Sequence, residues 1–71
     1  MNAKIVELLK RRYPAGTRVR LLKMEDPSPV PIDMLGTVED VDDIGSLIVQ
    51  WDNGRQLHVL HGIDEVEKID S

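Results

Sequence analysis

The chain has 71 residues, a formal net charge of −4, 41% hydrophobic and 31% charged residues, and no cysteine. That excludes a second domain, disulfide reinforcement and thiolate metal sites, and it is not the composition of a disordered chain. What remains is one small domain with an aliphatic core, since Phe is absent and Trp and Tyr occur once each.

The opening stretch, MNAKIVELLKRRYP, reads as an amphipathic helix. Asn2 suits an N-cap, and Ile5, Leu8 and Leu9 fall at i, i+3 and i+4 with Val6 beside them. Leu8 and Leu9 are expected to dock this helix on the rest of the chain. Lys10, Arg11 and Arg12 occupy its last turn, where cations suit the helix dipole. Pro14 disfavours helix at Tyr13, so the helix ends there. Glu7 and Lys10 interrupt the apolar run, which is therefore not a secretion signal, and no run approaches the roughly 20 residues of a membrane helix. A soluble, cytoplasmic protein with no membrane association is expected.

YPAG then reads as a turn, and TRVRLLK (17–23) as a strand, with Thr17, Val19 and Leu21 alternating against Arg18, Arg20 and Leu22. MEDPSPVPID (24–33) packs three prolines into five residues, which predicts a long, stiff, irregular loop. LGTVEDV (35–41) is a short strand, DDIG (42–45) a turn, and SLIVQW (46–51) the strongest strand of the chain. DNG (52–54) signals a hairpin, RQLHVL (55–60) its return strand, HGID (61–64) a tight bend or single helical turn, and EVEKI (65–69) a last strand.

Five short strands with one long and then short connections predict a mainly β fold: a five-stranded SH3-like barrel over 14–71, with an N-terminal amphipathic α-helix over 1–13. The alternative is a two-layer α+β sandwich. Alternation predicts an inward set of Val19, Leu21, Val38, Val41, Leu47, Val49, Leu57, Val59, Val66 and Ile69.

Four motifs stand in order along this frame: Gly16-Thr17-Arg18-Val19, Gly36-Thr37-Val38, Val41-Asp42-Asp43 and Trp51-Asp52-Asn53-Gly54. From Tyr13 to about Ile69 the chain resembles a small bacterial and phage family catalogued as a domain of unknown function, frequent in mobile elements of Gram-positive bacteria. That resemblance implies an SH3-like barrel and assigns no activity. The chain departs from the family pattern at SPVPIDMLG, where a Pro-Gly-containing approach to the second strand is expected. The central hairpin alone is also similar to mind-bomb type SH3-like peptide-binding domains, through a Gly-x-Val strand followed by V-x-W-D-N-G.

No nucleophile motif or phosphate-binding loop is present, so the chain is not expected to be an enzyme and no cofactor is expected. His58 and His61 are three apart, which on a strand points them to opposite faces. They read as two surface histidines, with a zinc site including Asp64 as the alternative. The acids of EDVDD (39–43) lack the calcium-loop alternation and read as a solvated turn, with Asp42 or Asp43 capping backbone amides; an acidic edge for a basic partner is the alternative.

The charge distribution is uneven. Met1 to Lys23 carries seven bases and one acid, +6, while Met24 to Ser71 carries two bases and twelve acids, −10. Lys10, Arg11, Arg12, Arg18, Arg20 and Lys23 make a candidate basic patch for nucleic-acid phosphate or an acidic partner. Against this stands pairing of Arg18 and Arg20 with the chain's own acids across strands. A second candidate site is a groove between the proline loop and the hairpin, using Asp26, Pro27, Trp51, Asp52, His58 and His61. Trp51 itself reads as core before it reads as a platform, because it follows Leu47 and Val49 by alternation, and the residues after it read as the hairpin that sets strand register. The functional expectation is a non-catalytic, protein-binding module of a phage or mobile element. Nucleic-acid binding, acidic inhibition of a host defence nuclease, and weak self-association of an otherwise monomeric chain are the alternatives.

Overall fold

The computed structural model describes residues 2–69. Helix α1 (Ala3–Arg12) opens with Asn2, whose side-chain oxygen accepts the Lys4 amide at 2.7 Å, and it closes where the Tyr13 amide donates to Leu9 O at 2.8 Å. Five strands follow: β1 (Arg18–Lys23), β2 (Leu35–Val41), β3 (Ser46–Trp51), β4 (Gln56–Leu60) and β5 (Glu65–Lys68). They form one antiparallel sheet of order β4-β3-β2-β1-β5. A four-stranded meander whose fifth strand returns to β1 is the order of an SH3-like barrel, so the two-layer alternative is set aside. Register shifts between Val38 and Asp40 in β2 and between Leu21 and Lys23 in β1 mark bulges, which bend and twist a sheet enough to curl it. The two end strands, β4 and β5, come together at the 61–64 turn without pairing.

The core sits inside the curl. Val19, Leu21, Val38, Val41, Leu47, Val49 and Val59 are buried as alternation predicts; Leu57 and Val66 are half-buried against them, and Ile69 is half-buried. Trp51 joins the core, 1% exposed, with its indole N–H donating to Leu57 O at 3.2 Å. The proline loop stays irregular but is anchored: Val30, between Pro29 and Pro31, is buried in the same cluster.

One expectation fails at the helix. Leu9 packs on the core, but Leu8 is 60% exposed. The docking stripe runs instead through Val6, Leu9 and Tyr13, at i, i+3 and i+7, with Val6 and Tyr13 buried. An apolar stripe starting at Ile5 and one starting at Val6 differ by one position, and only the packing partner decides between them.

Candidate functional site

Residues of three of the quoted motifs converge, and they are spent on the fold. Arg18 extends from β1 and forks onto both oxygens of Asp52, at 2.9 and 2.7 Å, while Nη1 also donates to the Thr37 hydroxyl at 2.7 Å. Beneath them Gly36 lies opposite Trp51 in the β2–β3 ladder, and a Cβ there would stand 2.7 Å from both Trp51 Cε3 and Val49 Cγ1. The Trp51 ring therefore requires a glycine across from it. Asn53 and Gly54 complete the hairpin: Asn53 Oδ1 accepts the Arg55 amide at 3.1 Å, and Gly54 takes φ +90°, a conformation a side chain would strain. Asp42 does similar work in the 42–45 turn, with Oδ1 accepting the amides of Ile44 and Ser46 at 3.2 and 2.9 Å. The Arg18 hydrogen bond, followed by its charge, holds the Asp52 carboxyl below the usual carboxylate range, and the same bond raises the already high Arg18 pKa.

The six candidate cations are divided. Arg18 and Arg20 both turn to the chain's acids, Arg20 bonding Glu67 on the neighbouring β5 and lying 3.6 Å from Asp33. Lys23 lies 3.4 Å from Glu25, and Arg11 bonds Glu7 one turn back at 3.4 Å with both side chains exposed. Arg12 sits 5.6 Å over the Tyr13 ring, and Lys10 is exposed at the helix end.

The groove candidates are divided too. Asp26, Pro27 and His58 meet in a cleft of about 420 Å³ with Glu25, Gln56, Leu57, Leu60 and Asp64, between the start of the proline loop and β4. Trp51 is in the core, Asp52 is held by Arg18, and His61 lines a different cleft. That second cleft, about 400 Å³, lies at the seam between α1 and the barrel, with Leu9, Tyr13, Leu22, Leu47, Val59 and Val66 among its walls. His58 Nδ1 instead stands 3.7 Å from Asp42 Oδ2. No three His, Cys, Asp or Glu side chains among the described residues gather as a metal site.

Asp64 is the partition between the two clefts and contributes to both. Its carboxylate is buried, with Oδ1 accepting the Glu25 amide at 2.8 Å and Oδ2 the Leu60 amide at 3.0 Å. It thereby fastens the proline loop to the end of β4. Sequence reasoning placed Asp64 only as an alternative zinc ligand. Leu22 was the available signal for the seam cleft, as the one apolar residue on the cationic face of its strand.

A family model described as "Domain of unknown function (DUF4314)" matches residues 2–69. The chain belongs to this family. The DUF4314 match takes in the helix as well as the barrel, further toward the N-terminus than the motifs alone reach. No curated protein and no solved structure matches this DUF4314 chain.

Proposed function

We propose that this DUF4314 domain is a non-catalytic module that binds a protein partner in the groove between the proline loop and β4. The observation that carries the reading is the groove itself. It is open, has an apolar floor of Pro27, Leu57 and Leu60, and is rimmed by Glu25, Asp26 and His58. Concave apolar surface with a few polar groups is the usual form of a ligand site. The motif residues support it indirectly, because Arg18, Thr37, Trp51, Asp52 and Asp42 are consumed in holding the barrel and are poor candidates for chemistry. A phage or mobile-element setting is part of the proposal and rests on the motif resemblance.

Protein binding is favoured over nucleic-acid binding because Arg18 and Arg20 give their guanidinium groups to Asp52 and Glu67. Phosphate binding would have to rely mainly on the end of α1 and would be opposed by the acids elsewhere on the chain. The test is selection from a displayed library of random peptides, followed by mapping of selected peptides on the ¹⁵N-labelled domain. Perturbation of Asp26, Leu57, His58 and Leu60 signals is the expected result. A library that yields no binder, or binders that leave those signals unmoved, overturns the reading.

A further inference from the structure

We infer that the groove beside β4 takes its partner as an extended, cation-bearing segment that adds a strand to the β4 edge. This rests on the protein-binding reading of the same groove and names what enters it.

The backbone carries the first part of the argument. β3 turns alternate residues to its two neighbours. The Asp42 amide reaches Ser46 O at 3.0 Å and the Asp52 amide reaches Leu35 O at 2.9 Å, both toward β2 and its flanks. The Trp51 amide reaches Arg55 O at 2.8 Å, toward β4. With Leu47 opposite Val59 and Val49 opposite Leu57, β4 answers through Arg55, Leu57 and Val59. The N–H and C=O groups of Gln56 and His58 therefore point away from the sheet, and no partner receives them among the described residues. Leu60, next in that outward row, is already satisfied: its amide goes to Asp64, and its carbonyl accepts the Ile63 and Asp64 amides at 3.1 and 2.9 Å. The free edge is thus a short run ending at a fixed stop. Such an edge is a template for an incoming strand. The opposite wall includes Pro27, which has no N–H to compete for the incoming backbone.

Charge selects the occupant. The charged residues lining the groove are Glu25, Asp26 and Asp64, with no lysine or arginine. Asp64 is consumed by its two backbone bonds, and Glu25 lies 3.4 Å from Lys23 with both side chains exposed. Among the described residues Asp26 accepts only the Ser28 amide, at 2.8 Å, and no lysine or arginine in the groove's lining matches its charge. In an added strand, side chains alternate between the two faces, so one set meets Leu57 and Pro27 while the other can carry cations toward Asp26 and Glu25.

The test uses three hexapeptides with the full chain at low salt: alternating Lys-Val, alternating Glu-Val, and the Lys-Val peptide N-methylated on alternate backbone nitrogens. The Lys-Val peptide is expected to bind at least about tenfold more tightly than either of the others, a difference of one decade in Kd. It should also slow amide exchange at Gln56 and His58. Asp26→Asn, which keeps an acceptor for the Ser28 amide, should weaken it by about fivefold, the scale of one screened ion pair. Equal binding of the Glu-Val peptide, or binding without protection of the His58 amide, overturns the inference. If none of the three binds while library-selected peptides still map to the groove, strand addition fails and the groove reading stands. If library binders are absent too, both fail.

Discussion

Arg18 and Asp52 lie on elements far apart in the chain, and their side chains meet through two parallel hydrogen bonds of 2.9 and 2.7 Å. The pair ties β1 to the β3–β4 hairpin, and Thr37 on β2 shares the Arg18 guanidinium. Three segments are joined by one head group whose planar fork suits a carboxylate.

This pair predicts a pH dependence. The folded-state pKa of Asp52 lies below its ordinary value of 3.8. A carboxyl depressed on folding contributes stability that is fully present above the unfolded pKa and is lost as pH falls through the folded one. Asp52→Asn should therefore lower the urea midpoint at pH 7, with the difference from the parent narrowing as pH is taken below 3.8. The side chains are 32% and 46% exposed, so added salt should narrow it as well. A difference that persists unchanged at pH 2 would show that Asp52 acts through packing and not through charge.

Gly36→Ala should be destabilising although Ala is the smallest addition. Its methyl would stand 2.7 Å from Trp51 and Val49, so the ring or the strand must shift. Overpacking of this kind costs about 1–3 kcal/mol. Denaturant unfolding followed by Trp51 fluorescence reads both the loss and any altered ring environment.

Asp64→Ala should leave the Glu25 and Leu60 amides without their acceptor and release the proline loop from the end of β4. Each unsatisfied buried group costs about 1–3 kcal/mol, less where water can enter. Hydrogen exchange should quicken at both amides, and urea unfolding should report the cost.

Val6→Ala and Leu8→Ala make opposite predictions about the helix. Val6 is buried and Leu8 is 60% exposed. Val6→Ala should remove part of the roughly 1.5–3 kcal/mol that a fully buried aliphatic side chain contributes. Leu8→Ala should stay within about 0.5 kcal/mol of the parent. Thermal unfolding of the two variants side by side decides which face docks.

Strands were the most legible part of this sequence. Alternation through Val19 and Leu21, and through Leu47, Val49 and Trp51, carries a period of two that only one face can satisfy. The helix was legible in place but not in rotation, because Ile5, Val6, Leu8 and Leu9 offer two overlapping stripes. Val30 was hidden among prolines, where no periodicity exists to mark an inward residue. The candidate site was half legible: Asp26, Pro27 and His58 do share a groove, whereas Trp51, Asp52 and His61 belong elsewhere. Nothing in a linear string distinguishes an Asp that pairs with an arginine 34 positions away from one that lines a cleft. The charge split was legible as pairing of Arg18 and Arg20 with the chain's own acids, but which acids was not, since only the β1–β5 register brings Glu67 beside Arg20.

That adjacency also governs when the fold can form. Arg20 and Glu67 are 47 positions apart, and Val19 pairs with Lys68, so the β1–β5 ladder joins segments from near both ends of the chain. During synthesis the meander from β1 to β4 can pair as it emerges, yet β1 keeps one side bare until β5 leaves the ribosome. Closure thus waits for β5 to emerge, and until then β1 presents an open edge.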